Sequence, residues 1–304
     1  MLKSVSLSTP ILLLVFNRPE TTGRVVESIR SIRPTRLFVA ADGPRAAVAG
    51  ETQRCMEARR LAVSIDWTCE VETLFRDENL GCARAVSSAI TWFFEQVTEG
   101  IILEDDCVPS ASFYRFCEEL LGRYREDRRI MHVAGNSHQY GRRRGSASYY
   151  ISKYANIWGW ATWRRAWEQY DFSLRPAWEL QDTWDTQWQL SLEKAGGLAI
   201  VPNQNLVRNI GFGSGATHTK ADERPAMLEA EEIAFPLTHP VEIMPNRTAD
   251  TFTYYAHHRM VRHLNLIWMY RLGDFLYFRL KATKRVLVRV ARQGLKGRLP
   301  PTAS

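Results

Sequence analysis

The sequence is poor in paired cysteine motifs. Its five cysteines (Cys55, Cys69, Cys82, Cys107 and Cys117) include no C-x-x-C pair and are odd in number. This excludes a zinc knuckle and a complete disulfide framework, so a reducing compartment is expected. Long apolar runs are also missing. The run Ile11 to Phe16 is followed at once by Asn17, Arg18, Pro19 and Glu20. It is too short for the apolar region of a secretory signal and reads as a buried strand. No later stretch reaches the ~18 uncharged apolar residues of a membrane span, so the chain is expected to be soluble or peripheral. Glycine and proline, at 18 and 13 of 304 residues, are too few for a collagen-like or low-complexity chain. No internal repeat is present. With 45% hydrophobic and 24% charged residues, the chain can bury a core in one large α/β domain or two smaller ones.

Positive charge is concentrated at one end. From Thr253 onward there are eleven Lys and Arg residues and one acid, Asp274, a net of +10; with +7 overall, the preceding 252 residues carry −3. The pI near 9.3 therefore belongs to a C-terminal extension, residues 253–304. Its stretch Leu264 to Tyr277 is apolar and aromatic, and Arg279 to Arg298 is basic. Such a segment suits an anionic membrane surface, where each nearby cation contributes on the order of 1 kcal/mol. Nucleic acid would attract the same charges but does not account for the aromatic and Leu content. A solvated helix face is the plain alternative. The resulting expectation is a cytoplasmic protein, peripherally associated with the inner face of the membrane and not bound to nucleic acid.

The first half alternates strand and helix patterns. Ile11–Phe16, Arg36–Ala41, Glu70–Phe75 and Gly100–Leu103 read as strands, and Thr21–Ser31, Glu51–Val63 and Ala83–Gln96 as helices. This predicts an open α/β sheet with ligands at the carboxyl ends of the strands. Asn17, Arg18, Asp42 and the triplet Glu104-Asp105-Asp106 fall at such ends. Gly135–Ser148 reads as a surface loop.

If the strand Gly100–Leu103 continues through the triplet, Glu104 and Asp106 share one face and Asp105 takes the other. Clustered carboxylates lose hydration and repel, which a hard divalent cation such as Mg²⁺ or Mn²⁺ would offset while leaving positions for diphosphate oxygens. A solvated turn ended by Pro109 is the alternative.

The segment IILEDDCVPSASFYRFCEELLGRY resembles the part of GT-A glycosyltransferases that carries their D-x-D-type motif, in the E-D-D form of N-acetylglucosaminyltransferase I-like enzymes. The resemblance runs from Ile11 to about His218 through VFNRPETTGRVVESI, ARAVSSAI, VAGNSHQYG, NIWGW, WDTQW and NIGFGSGATHT. The later pieces are similar to a bacterial branch of nucleotide-diphospho-sugar transferases, some labelled hemolytic-protein-like. It implies a GT-A (Rossmann-like) open mixed sheet flanked by helices, a catalytic domain over residues 1–252, and a helical basic extension over residues 253–304. Residues 1–110 would form the nucleotide-sugar half and 111–252 the acceptor half. It also implies a metal-dependent hexosyl- or N-acetylhexosaminyltransferase acting on a UDP-sugar, with a glycan or lipid-linked acceptor, as in polysaccharide biosynthesis.

Carried over by residue, the resemblance makes Asn17, Arg18, Asp42 and Arg84 donor contacts, Glu104 and Asp105 contacts to the sugar and ribose, and Asp106 the direct ligand of Mn²⁺ or Mg²⁺. The family has a His one residue after the Arg matching Arg84, where this chain has Ala85, so the base is gripped differently. A non-catalytic nucleotide-sugar or glycan-binding module of the same fold is the alternative function.

Seven of the ten tryptophans lie between Trp158 and Trp188. Indole faces can stack on sugars, and the helical spacing of Trp160, Trp163 and Trp167 equally suits a core. Trp160 is expected at the acceptor and Trp184 at the donor. Inverting transfer needs a carboxylate that takes the acceptor's proton. Among Asp171, Glu179, Asp182 and Asp185, the resemblance of Trp184-Asp185-Thr186-Gln187-Trp188 to the family's Trp-Asp motif selects Asp185, with Asp182 as the fallback. The glycines of Asn209–His218 suit a closing lid, and His218 is a candidate second metal ligand beside its plain reading as a packed or surface residue.

Overall fold

The computed structural model describes residues 7–174, 183–212 and 228–255. The chain divides into a unit ending at Thr253 and a second beginning at Tyr254. The fold set out below is that of the first. His218, Glu179, Asp182 and nearly all of the basic extension lie outside the described residues. No described helix is long and apolar enough to cross a membrane.

In chain order the elements are β1 (Ile11–Val15), α1 (Pro19–Ile32), β2 (Arg36–Ala41), α2 (Glu51–Ala62), β3 (Glu70–Phe75), α3 (Cys82–Gln96), β4 (Glu99–Glu104), β5 (Cys107–Pro109), α4 (Ala111–Tyr124), β6 (Ile130–Ala134), β7 (Tyr149–Ser152), β8 (Trp160–Trp163), α5 (Arg164–Trp167), α6 (Asp185–Ala195), β9 (Leu198–Pro202), β10 (Val207–Asn209) and α7 (Arg247–Thr253). An eight-stranded mixed sheet has the order β3-β2-β1-β4-β8-β6-β9-β7, and β10 pairs with β5 in a separate ribbon. This is the α/β, Rossmann-like architecture expected from the strand-helix alternation.

The four strands β1 to β4 are parallel, so their carboxyl ends open along one edge. β1, β2 and β4 are largely apolar because helices cover both faces, whereas β3, at the edge of the sheet, carries Glu70, Glu72 and Thr73. Successive side chains alternate between two cores. Ile11, Leu13, Val15, Leu37, Val39 and Ile101 join Val25 and Ile29 of α1 and Phe113 and Leu120 of α4. Leu12, Leu14, Phe38, Ala40 and Ile102 join Ile90 and Phe93 of α3 and four tryptophans. Each fully buried Leu, Ile or Phe contributes roughly 1.5–3 kcal/mol. Pro19 suits the first turn of α1, where its missing N–H has no partner to lose.

Two expectations fail in the middle of the chain. Trp160 and Trp163 lie in a strand, β8, paired antiparallel to β4 and β6, so their three-residue spacing is not helical. The segment Gly135–Ser148 is not a surface excursion throughout. Asn136, Ser137, His138 and Gln139 are buried, and a polar network sustains this. The Ser137 amide donates to Asn205 Oδ1 at 3.0 Å, and the Arg144 amide to Asn203 Oδ1 at 2.7 Å. Buried backbone donors need such partners, and two asparagines far along the chain supply them.

Candidate functional site

Because β1 and β4 are neighbours in parallel register, with Leu14 opposite Glu104, the chain that leaves each strand enters the same space. A cleft of about 500 Å³ lies there. Its walls include Phe16 and Arg18 after β1, Asp42 and Arg45 after β2, Arg76, Asn79 and Gly81 after β3, and Glu104, Asp105 and Asp106 after β4. Ala85, Val86 and Ala89 of α3, together with Trp158, Thr183, Trp184, Asp185, Asn209 and Gly211, complete it. The sheet edge thus gathers residues from the whole first unit at the location where open α/β sheets bind ligands.

The acidic triplet does not alternate. β4 ends at Glu104 and the backbone turns at Asp105 and Asp106, so all three carboxylates line the cleft. Arg18 spans two of them. Its Nη1 donates to Asp106 Oδ2 at 2.8 Å and its Nη2 to Asp105 Oδ1. The other Asp105 oxygen accepts the Phe16 amide at 3.1 Å, which ties the ends of β1 and β4 together. Glu104 has no hydrogen-bond partner among the described residues. Burial, reinforced by the charge of Asp106 and only partly relieved by Arg18, pushes its carboxyl up to about 8; Asp105 and Asp185 add to the rise. Burial likewise raises Asp105, to about 6, against the pull of Arg18. Burial opposes the charge on Arg18, but Asp105 and Asp106 outweigh it and keep the guanidinium protonated.

With Glu104 largely protonated at neutral pH, Asp105 and Asp106 against one guanidinium still leave a surplus of negative charge. Among the described residues, no three His, Cys, Asp or Glu side chains form a cluster suited to holding a metal. The donor set nevertheless fits a hard cation of the Mg²⁺ or Mn²⁺ type. Such an ion needs only one or two protein carboxylates when phosphate oxygens and water fill the rest of its shell. Among the described residues, Asp106 Oδ1 accepts a hydrogen bond only from the Cys107 thiol, at 3.4 Å.

Asp42 lines the cleft, yet its carboxylate is engaged. Its Oδ1 accepts the amides of Gly43 and Leu80, each at 3.0 Å, and its Oδ2 accepts the Gly81 amide and Asn79 Nδ2 at 3.1 and 3.0 Å. Asp42 thereby shapes the loop after β3. Gly43 makes this possible, since a Cβ there would sit 2.3 Å from the Glu78 backbone.

Other expected site residues fall elsewhere. Asn17 does not line the cleft; its amide donates to Glu51 Oε1 at 2.7 Å. Arg84 is exposed and outside the lining, because α3 turns Cys82, Ala85, Val86 and Ala89 toward the cleft at helical spacing and leaves Arg84 on another face. Trp160 is not an open acceptor platform. It is 1% exposed and stacks between His132 and Trp184, at centroid distances of 4.9 and 5.7 Å, because β8 is an interior strand of the sheet. Trp184 is almost fully buried but contributes to the cleft wall, and Asp185 opens α6 beside it. Asp171 is committed to Lys194 at 3.0 Å and does not line the cleft.

The residues that sequence reasoning missed are Arg45, Glu51, Arg76 and Trp158; Gly211, read only as one of the glycines of a lid, faces Asp106 at the cleft wall. Trp158 is the half-buried tryptophan of the wall, packed edge-on to Phe212 and His138. Its neighbour Gly159, with φ +60, gave a local signal of a turn at the strand entrance.

No family model matches the chain, and no curated protein matches it. Solved structures with related folds include HddC from Yersinia pseudotuberculosis, 12% identical over 62% of this chain and 98% of that one, with a TM-score of 0.37. The inositol-1-phosphate CTP transferase from T. maritima is 10% identical over 67% and 90% of the two chains, TM-score 0.39. UDP-glucose pyrophosphorylase complexed with UDP-glucose is 8% identical over 64% and 90%, TM-score 0.40.

Proposed function

We propose that this cleft binds a nucleoside diphosphate sugar, with UDP as the expected nucleotide, and transfers the sugar to an acceptor hydroxyl with inversion. The observation that carries the reading is the meeting of Arg18, the Glu104-Asp105-Asp106 turn and Asp185 in one cleft at the carboxyl ends of parallel strands. Asp105 and Asp106 together hold Arg18, which lines the same cleft. The Glu104 carboxyl, without a hydrogen-bond partner among the described residues, is suited to a sugar hydroxyl. Trp158 and Trp184 supply apolar surface for the sugar ring.

Asp185 lines the same cleft and lies near enough for its charge to raise Glu104, which supports a position beside the sugar. As the acceptor oxygen forms its bond to the anomeric carbon, the bond from that carbon to the phosphate oxygen breaks. The acceptor's proton passes to Asp185, and the nucleoside diphosphate departs with the bonding pair. A divalent cation held by Asp106 would neutralise the growing charge on that leaving group. A glycan or lipid-linked acceptor, and an anionic membrane surface met through the basic extension, complete the proposal.

The test is a thermal-stability panel of nucleotide sugars with Mn²⁺. A donor that binds the native state raises the melting temperature in proportion to ln(1 + [L]/Kd). Stabilisation by a nucleotide sugar that requires both Mn²⁺ and Asp106 supports the reading, and a flat panel opposes it.

A further inference from the structure

We propose that Arg45 is a preset phosphate-binding arm of the cleft, held in place by Glu51 as its positioning residue. The inference rests on the nucleotide-diphosphate reading of the site and concerns residues that the sequence did not single out.

Glu51 opens α2 yet is fully buried. A carboxylate removed from water costs several kcal/mol unless its oxygens are fully paired. All the partners of Glu51 come from cleft loops. Arg45 Nε approaches its two oxygens at 3.2 and 3.0 Å, Arg45 Nη2 donates at 2.5 Å and the Arg45 amide at 2.7 Å, and Asn17 Nδ2 adds a fourth donor at 2.7 Å. These bonds hold the Glu51 carboxyl down at about 2; the Arg45 side chain is the largest cause.

Arg45 itself is half exposed at the cleft wall, over the Phe16 ring at 5.6 Å. Its Nη1 has no partner among the described residues. One edge of the guanidinium, Nε with Nη2, is therefore fixed on Glu51, and Nη1 of this cleft-lining side chain is left to bind without the rotamer entropy that a loose arginine would lose. The other cationic walls are differently engaged. Arg18 is spent on Asp105 and Asp106, and Arg76 Nη2 on Ser88 at 2.8 Å. A diphosphate approaching the acidic turn needs hydrogen-bond donors from outside that turn, and Nη1 of the pre-oriented Arg45 is one. The same Glu51 also holds Asn17, next to Arg18, so one buried carboxylate sets the loops after β1 and β2 together.

The test compares UDP, by calorimetry in Mn²⁺, with uridine, by ligand-observed NMR, on the full chain and on Arg45→Ala and Glu51→Gln. Expected is a ten-fold or greater loss of UDP affinity in Arg45→Ala, with the uridine Kd moved less than two-fold. Glu51→Gln should lose UDP to a similar degree, since a neutral amide cannot hold the guanidinium fork. Because Arg45→Ala strips the buried Glu51 of its main partner, Arg45→Lys is the second variant at that position. It keeps a cation beside Glu51 but has no guanidinium to present a free Nη1, so a ten-fold loss of UDP affinity at an unchanged melting temperature keeps the test sound where either other variant unfolds. Unchanged UDP affinity in Arg45→Ala, or an equal loss for uridine, overturns the inference while leaving the nucleotide reading intact. A wild-type protein that binds no UDP rejects the nucleotide reading and this inference with it.

Discussion

A Cβ on Gly211 would stand 2.1 Å from Oδ2 of Asp106. No side chain fits there unless the Asp106 carboxylate moves, and Arg18 Nη1, 2.9 Å from the same point, must move with it. The glycine after β10 is therefore required by the acidic turn facing it, and the Ile210 amide, bonded to the Asp106 carbonyl at 2.8 Å, holds the two segments together.

Gly211→Ala should consequently disable the site while sparing the fold. Donor affinity is expected to fall ten-fold or more by calorimetry, with the melting temperature within a few degrees of the wild type. Normal donor binding in this variant would mean that the Asp106 and Arg18 arrangement is not the binding geometry.

Asp106→Ala tests the metal-ligand assignment. Removing the carboxylate proposed to hold the cation should abolish the Mn²⁺-dependent part of nucleotide-sugar binding and leave any metal-independent part in place. Equal affinity with and without Mn²⁺ in both proteins would remove Asp106 from that role.

A third expectation concerns stability and pH. His132 is fully buried, with Trp188 Nε1 donating to its Nδ1 at 3.2 Å and its Nε2 hydrogen-bonded to the Asn156 carbonyl at 2.9 Å. Burial is the main cause that lowers its pKa from 6.5 to about 4. The folded state thus resists protonation more than the unfolded chain. The stability that the neutral ring provides is complete above pH 6.5 and is lost as the pH falls toward 4, by about 3 kcal/mol. Urea unfolding between pH 7 and pH 4 should show that much more acid destabilisation in the wild type than in His132→Gln. Parallel profiles would contradict it.

The elements of the first half were legible because apolar strands and amphipathic helices alternate there without ambiguity. Arg36–Ala41 and Glu70–Phe75 keep the bounds read from sequence. The acidic turn was legible in composition but not in direction, since nothing in Glu104-Asp105-Asp106 announces that the strand stops at its first residue. Trp160 misled because a dense tryptophan cluster suits a sugar platform and a core equally, and only the pairing of β8 inside the sheet decides between them. Glu51 was hidden for a related reason. An acid at a helix start looks like an ordinary exposed charge, and its burial depends on Arg45 and Asn17 folding over it.

The basic extension gives a prediction that depends on charge alone. The full chain should bind vesicles containing anionic lipid, and added salt should weaken that binding by screening. A chain ending before Lys281 should lose the vesicles and keep its catalytic activity on a small water-soluble acceptor. Undiminished vesicle binding by the truncated chain would rule out the basic stretch as the anchor.

The most direct measurement of the central claim is release of nucleoside diphosphate from a nucleotide sugar in the presence of an acceptor, followed in the wild type and in Asp185→Asn. The account predicts acceptor-dependent turnover in the wild type and a loss of ~10²-fold or more in kcat for Asp185→Asn, with donor affinity nearly unchanged, because only the group that takes the acceptor's proton is removed. Donor binding without turnover across an acceptor panel, or full transfer by Asp185→Asn, would contradict it.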